Sequence, residues 1–269
     1  MTASLDATRS PVGTQLRAWR ERRRLSQLEL AIEADVSTRH LSFVETGRSR
    51  PSRDMVLHLA ERLDVPLRER NRLLLAAGYA PAYREGGLDS AALAPVAAAV
   101  RQVLAGHDPY PAVVHNVYGD LLDANASTGL FLSTVAPHLL EPPVNTLRVS
   151  LHPEGMAPHI VNLPQWRRHL LDRLRRHVAG TADPALAALY EEVSAYPGGE
   201  SAEEPDPGME VAVPLRYRHE GRELSFVSIV ATFGAPLDVT VSELAIEAFY
   251  PADEETARVL RAQDSGAPV

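Results

Sequence analysis

The sequence predicts an α+β protein of two domains: five helices over residues 1–80, and an α+β domain with an antiparallel sheet over residues 109–269. Residues 81–108 are predicted to be a linker with a connecting helix. Two periodicities support this division: apolar residues recur at helical spacing in the first part and alternate with polar residues, as in strands, in the final third. The charge divides at the same place, with 14 Arg against 10 acidic residues up to residue 80 and 13 Arg against 25 acidic residues beyond it.

The composition bounds the class of protein. The chain has 269 residues, of which 45% are hydrophobic and 23% are charged, as in a globular protein. It contains no Cys, which excludes disulfides and cysteine metal sites. No apolar run approaches the length of about 18 residues that a membrane span needs, so we predict a cytoplasmic protein without a membrane partner. A basic first part joined to an acidic remainder indicates one nucleic-acid module and one other module.

Two short helices in residues 26–46 have the pattern of a helix-turn-helix. Ser26 with Glu29 three residues later predicts a capping box at the start of the first helix, and Ser37 predicts the cap of the second. Leu28 and Ile32 are predicted to face inward on the first helix. Four residues of the second helix are predicted to be exposed, in a shape that fits a DNA major groove. They are Thr38, Arg39, Ser42 and Phe43.

This arrangement resembles the Xre family, the phage-repressor (lambda-repressor-like) type of helix-turn-helix, over about residues 11–80. The matching residues are Gln27, Leu30, Ala31, Val36, Ser37, Leu41, Val44, Glu45, Gly47, Arg50 and Pro51. Asp35 stands where the family often has Gly, and Asp tolerates the left-handed conformation that such a turn needs.

The resemblance implies a role for each residue of the candidate DNA site. Gln27 would bond a phosphate, and Arg48 and Arg50 would hold the DNA backbone by charge. Thr38, Arg39, Ser42 and Phe43 would meet base edges, with Arg39 suited to guanine and Phe43 to a thymine methyl group. Arg20 and Glu45 would form a structural salt bridge. The alternatives are that Gln27 is only a solvated residue of the first turn and that Phe43 packs within its own domain.

The second half opens with a predicted hairpin, Ala112–Val117 and Leu121–Ala124, followed by a short helix with Leu130 and Phe131. This opening resembles a PAS-type sensor fold. Asn145–Leu151 is predicted to be extended, and helices are predicted over Leu163–Val178 and from Asp183. The acidic segment 197–208 is predicted to be a loop. Three strands and a terminal helix are predicted to follow, at Met209–Tyr217, Leu224–Phe233, Asp238–Tyr250 and Pro251–Gln263.

An Xre-type domain followed by the segment Asn145-Thr-Leu-Arg-Val, a helix with Trp166 and the run DPALAALYEEV resembles regulators with an MmyB-like ligand-binding domain. This resemblance extends to about residue 195. Beyond it, the segment with Trp and His that the family places before its last strands is not found.

A PAS-like domain encloses a small pocket lined mainly by apolar groups. Four aromatic residues and three polar residues are the candidates for lining it and for fixing the polar end of a ligand, and a fatty acid would suit such a pocket. These candidates are Phe131, Trp166, Phe226, Phe249, His115, His169 and Arg173. The alternative for each aromatic residue is a place in the ordinary core.

Nothing in the sequence indicates catalysis, a metal site or a cofactor. His152 and His159, in a segment broken by Pro and Gly, form no metal motif, and His169 and His177 are too far apart on one helix to share an ion. There is no HExxH motif, nucleophile elbow, P-loop or dinucleotide fingerprint. We therefore predict no catalytic residues, no metal ligands and no cofactor.

The sequence thus predicts a transcription regulator that binds an operator in double-stranded DNA as a homodimer, since one helix-turn-helix reads a half-site. The second domain is predicted to bind a small apolar ligand. The alternative is a second domain that serves only for protein interaction or dimerisation.

Overall fold

The computed structural model describes residues 12–181, 183–198 and 213–264. The chain divides into two compact units. One comprises the part up to Glu85 together with Ala179–Thr181 and Leu237–Val239, and the other comprises the rest from Gly86. The domain limits predicted from the sequence, at residues 80 and 109, stay a prediction. Among the described helices, none is both long and apolar enough to cross a membrane.

The first unit is the predicted bundle of five helices. They are α1 (Val12–Arg22), α2 (Gln27–Glu33), α3 (Thr38–Glu45), α4 (Arg53–Arg62) and α5 (Leu67–Ala76). The helices bury one apolar cluster, in which Leu16, Trp19 and Leu41 are each at most 3% exposed. Helices α2 and α3 begin at their predicted caps, because the hydroxyl groups of Ser26 and Ser37 each accept a backbone N–H, and Ser52 caps α4 in the same way.

The inward face of α2 differs from the prediction. Leu28 and Ile32 are 58% and 70% exposed, whereas Leu30 and Ala31 are buried. Leu28 and Ile32 lie one turn apart on the same side of the helix, and α2 packs on its neighbours through the other side. A helix of seven residues has room for one packed face, and in α2 the pair Leu30–Ala31 occupies it.

Two positions of the bundle place special demands on the residue that occupies them, one at a turn and one where two helices cross. Asp35, in the turn between α2 and α3, has a positive φ of 49°, as its place in the motif predicted. Gly13 lies where α1 crosses the end of α3, and a Cβ atom there would come within 2.1 Å of the Val44 carbonyl oxygen. Only glycine allows this approach.

The second unit is a five-stranded antiparallel sheet with helices packed on it, which confirms the α+β class. The strands are β1 (Ala112–His115), β2 (Leu121–Ala124), β3 (Leu215–His219), β4 (Arg222–Thr232) and β5 (Ala245–Pro251), in the order β2-β1-β5-β4-β3. The helices are α6 (Ala94–His107), α7 (Gly129–Leu132), α8 (Thr146–Leu151), α9 (Leu163–Thr181), α10 (Pro184–Ser194), α11 (Val239–Ser242) and α12 (Glu254–Asp264), with short 3-10 turns between some of them.

Helices pack on both faces of this sheet. The main core lies between the sheet and helices α7 to α10, and it includes Phe131, Trp166 and Phe226. A smaller cluster on the other face packs Val100 and Leu104 of α6 against β1 and the start of β5. Because α6 buries apolar residues on the sheet, it belongs structurally to the second unit and is not a free spacer.

Two predicted strands are wrong in part. Asn145–Leu151 is not extended, because the Asn145 side chain accepts hydrogen bonds from the backbone N–H groups of Leu147 and Arg148 and starts α8. Asp238–Tyr250 is not one strand, since its first part forms α11 and the strand begins at Ala245. The predicted Met209–Tyr217 strand is seen from Leu215 onward. Its first residues and most of the predicted 197–208 loop lie outside the described residues.

Candidate DNA-binding surface and ligand cavity

The exposed side of α3 places the four predicted groove residues together. Arg39 is exposed, and Thr38, Ser42 and Phe43 are half-buried. The Arg39 guanidinium lies 5.4 Å from the centre of the Phe43 ring, and the Arg48 guanidinium lies 5.9 Å from the same ring. Both values are cation–π distances, so the Phe43 ring lies beside two arginine cations. We call this surface, formed by Thr38, Arg39, Ser42, Phe43 and Arg48, the α3 surface.

A buried ionic network fixes α3 to α1 and α2. Arg20 donates from Nε and Nη2 to the two carboxylate oxygens of Glu45, at 2.7 and 2.9 Å. The hydrogen bonds from Arg20 to Glu45 raise the pKa of Arg20, against the opposing effect of burial. Gln27 Nε2 donates to Glu45 Oε2 at 2.7 Å. The Gln27 amide has two N–H groups, so this bond leaves the second one for an acceptor such as a phosphate.

Arg50 has an internal role that the sequence did not indicate. Its Nε and Nη2 atoms donate to the Ala77 carbonyl oxygen at 3.2 and 2.8 Å, and its guanidinium lies 5.3 Å from the Tyr79 ring centre. These contacts fasten the segment after α3 to the end of α5. Arg50 thus has a structural role within the bundle, and its contact with the DNA backbone stays a prediction.

The second unit encloses a cavity of about 70 Å³ between β1, β5 and helices α7 to α9. Its walls are mostly apolar and include Val113, Phe131, Leu147, Trp166 and Phe249. Helix α8, which starts at its cap Asn145, forms part of the wall. Helices α8 and α9 are joined beside the cavity by a hydrogen bond of 3.0 Å from Trp166 Nε1 to Ser150 Oγ.

One end of the cavity is charged. Arg173 of α9 donates from Nη1 and Nη2 to Glu247 Oε2 of β5, at 3.3 and 3.2 Å. Both residues line the cavity, and Glu247 is 5% exposed. His115 Nε2, which has no hydrogen-bond partner among the described residues, lies 3.6 Å from Glu247 Oε2. Burial alone raises the pKa of Glu247, but His115 and Arg173 outweigh it and lower the pKa to about 2. Glu247 is therefore ionised at neutral pH.

The structure brings four of the seven predicted ligand residues to this cavity: Phe131, Trp166, Arg173 and Phe249. The other three lie behind its walls. Phe226 is fully buried, with its ring centre 5.3 Å from that of Phe131. His169 stacks on Trp166 at 5.6 Å, and His115 contacts Glu247 through Nε2 and the Asn116 carbonyl oxygen through Nδ1.

Sequence reasoning missed Glu247 and the α8 residues. Glu247 stands two residues before Phe249 in the same strand, so the alternation of β5 puts both side chains on one face. That alternation was a usable signal, because Phe249 was already a candidate. Leu147 and Ser150 had no such signal, because their segment was expected to be a strand and not a helix.

A helix-turn-helix with an exposed α3 surface, in one chain with a domain that encloses a small cavity, defines a DNA-binding protein with a sensor-like module. Residues 11–73 match the family model of a helix-turn-helix domain, and residues 96–262 match the ligand-binding domain of MmyB-like transcription regulators. The second match covers more than half of the chain, so the chain belongs to the MmyB-like transcription regulators. No curated protein matches it.

These matches confirm the family resemblance on both halves, and the second extends well past residue 195, where the resemblance was placed at its end. They support a DNA-binding transcription regulator, and neither family is one of enzymes.

Proposed function

We propose that this protein is an Xre-type, one-component regulator of the cytoplasm that reads an operator through the α3 surface. The observation that carries this proposal is the arrangement of Phe43 between Arg39 and Arg48. An exposed arginine fork matches guanine O6 and N7 in the major groove, and the second arginine is suited to a phosphate. Gln27, held by Glu45, supports the surface as a further phosphate donor.

We propose that the protein binds as a homodimer. One recognition helix covers a half-site, and two copies related by a two-fold axis match a palindromic operator. In this proposal the second unit changes the DNA affinity when it binds a ligand, since a ligand acts only through a difference in affinity between two states.

The ligand site in this proposal is the cavity with Arg173 and Glu247 at one end. An ionised Glu247 accepts hydrogen bonds and Arg173 donates them, so a neutral hydroxyl or amide satisfies both. The charge of Arg173 is already paired with Glu247, so a ligand carboxylate would add a second negative charge beside this pair. This favours an apolar molecule with a neutral polar end over an ionised fatty acid. The cavity is smaller than the roughly 150 Å³ that holds benzene, so a long chain enters only if the wall opens.

The experiment that tests the DNA proposal is a salt titration of binding to the DNA upstream of the protein's own gene, or to a sequence selected from random DNA. Arg39→Ala is expected to lose about 1–3 kcal/mol of preference for the specific site while it keeps the non-specific affinity. Arg62→Ala, an exposed arginine on α4, is the matched control and should behave as wild type.

Two chains are expected per specific duplex in the same titration. A selection from random DNA that yields no preferred sequence, or equal preference for wild type and Arg39→Ala, contradicts the assignment of the α3 surface. A stoichiometry of one chain per duplex contradicts the homodimer.

A further inference from the structure

We infer that His138, His152 and Glu154 form a binding site for a divalent transition-metal ion such as Zn²⁺. Each side chain offers one ligand atom, and the three atoms lie within 4.8 Å of one another. His138 lies in the 3-10 turn Pro137–Leu140, His152 ends α8, and Glu154 follows two residues later. The fold thus brings together two histidines 14 positions apart in the sequence with a carboxylate.

The distance between His138 and Glu154 is close to that between two ligands of a bound ion. His138 Nε2 lies 3.7 Å from Glu154 Oε2. A tetrahedral zinc ion with bonds of about 2.0–2.1 Å separates neighbouring ligand atoms by about 3.4 Å. The two segments are already joined by a hydrogen bond of 2.9 Å from the Ala136 N–H to the Glu154 carbonyl oxygen. This hydrogen bond holds the two segments beside each other before any ion binds.

The ligand types select the kind of ion. Two imidazoles and one carboxylate suit zinc, copper or nickel, whereas Mg²⁺ and Ca²⁺ prefer oxygen ligands. The His138 and Glu154 side chains are 53% and 65% exposed, so an ion reaches them from solvent. Three protein ligands leave the fourth position of a tetrahedral ion for water.

One hydrogen bond is expected to change when the ion binds. The Glu154 N–H donates to His152 Nδ1 at 3.1 Å. A neutral imidazole has one lone pair, so that bond and a metal bond cannot both be made by the same tautomer. When His152 binds the ion, the backbone N–H of Glu154 therefore loses its hydrogen bond to His152.

Metal binding at this place would clamp the end of a cavity wall. Leu147, Val149 and Ser150 of α8 line the cavity, and His152 ends the same helix. An ion held by His138, His152 and Glu154 would tie that end to the Pro137–Leu140 turn.

The test is calorimetric titration of Zn²⁺ into the full chain, made without a histidine tag and freed of metal with EDTA. We expect about one Zn²⁺ per chain, and at least about tenfold weaker binding for His138→Asn and for Glu154→Gln. His40→Asn and Glu141→Gln, whose side chains lie outside the cluster, are the matched controls and should bind as wild type. Circular dichroism of each variant checks that it is folded.

Mg²⁺ should give no saturable heat, and the Glu154 amide resonance should move during the Zn²⁺ titration. The inference is overturned if wild type binds no Zn²⁺, or if either His138→Asn or Glu154→Gln binds as wild type.

Discussion

Glu45 has a structural role at the centre of the DNA-binding unit. Its side chain is 1% exposed, and its two oxygens accept three hydrogen bonds from Arg20 and Gln27. Removing one partner of a buried ion pair leaves the other charge without compensation, which costs far more than the pair itself contributes. Glu45 therefore belongs to the stability of the bundle, although its neighbours on α3 face the DNA.

We predict that Glu45→Gln lowers the free energy of unfolding of the first unit by about 3 kcal/mol, since Arg20 stays buried without its anion. Urea unfolding followed by Trp19 fluorescence in a Trp166→Phe background measures this unit, because these two are the only Trp residues of the chain. Glu21→Gln, at a side chain 53% exposed, should change stability by less than about 0.5 kcal/mol.

The same variants distinguish stability from recognition. Where Glu45→Gln is folded, it should keep the sequence preference that Arg39 provides. A loss of preference without a loss of stability would instead make Glu45 a specificity residue, and this would contradict its structural assignment.

At the scale of helices and strands, the sequence predicted elements wherever the local signal was strong. The capping serines Ser26 and Ser37 of the first unit are one example, and the hairpin predicted from Ala112 to Ala124 is another, since β1 and β2 pair there as antiparallel strands. The prediction for α8 was wrong because the apolar run of this helix is short and because tertiary contacts stabilise its cap, Asn145. Asn145 Nδ2 also donates to the Tyr118 carbonyl oxygen and to Asp120. Such contacts between distant segments are not visible in a periodicity.

The candidate sites were likewise predictable where neighbouring residues form them and not where distant segments do. The α3 surface was predictable, because one helix holds nearly all its residues in a fixed pattern. The cavity was only partly predictable, because strands and helices far apart in the sequence form it together. The cluster of His138, His152 and Glu154 was not predictable from spacing, since its ligands come from segments on either side of α8.

Two half-buried histidines of α9 are expected to make the second unit sensitive to acid. Burial and the charge of Arg173 lower the pKa of both His169 and His177 below 6.5. In the unfolded chain these groups bind protons more readily, so their contribution to stability falls as the pH drops below about 6.5. This pH range lies above that in which ordinary carboxylates titrate, near pH 4.

We predict that the free energy of unfolding, measured by urea and circular dichroism, decreases from neutral pH to a pH between 6.5 and the carboxylate range. The double variant His169→Gln, His177→Gln should lose part of this decrease. His138→Gln, at a side chain 53% exposed, is the control and should keep the decrease; because His138 is also a proposed metal ligand, the measurements are made with EDTA. An acid sensitivity that is the same in the double variant and in wild type would contradict the effect of burial on these two histidines.

At the scale of the whole molecule, regulation requires that the cavity and the α3 surface influence each other. Thermodynamic linkage makes this influence reciprocal: a ligand that changes the DNA affinity by some factor has its own affinity changed by DNA by the same factor. The ligand affinity and the DNA affinity are measured separately. The two factors can therefore be compared without knowing the natural ligand or the residues that transmit the effect.

We predict that dodecan-1-ol, whose entry requires the cavity wall to open, binds the protein more tightly than dodecanoic acid at neutral pH. The reason is that Arg173 is already paired with ionised Glu247, which accepts a hydroxyl and repels a second carboxylate. The dissociation constant of the alcohol should change on addition of operator DNA by the factor by which the alcohol changes DNA binding. Calorimetry measures the dissociation constant of the alcohol with and without DNA. Fluorescence anisotropy of labelled DNA measures the dissociation constant of the DNA with and without the alcohol.

Two matched leucine substitutions localise the effect. Leu147→Phe narrows the cavity and should weaken binding of the alcohol, whereas Leu122→Phe, on β2 at a side chain 41% exposed, should leave it unchanged. Equal binding to both variants would place the alcohol elsewhere on the protein. If neither probe bound, the second unit would be better explained as a protein-interaction module. Binding with both coupling factors equal to one would show a cavity that takes a ligand without controlling DNA, because a ligand with equal affinity for both states shifts neither.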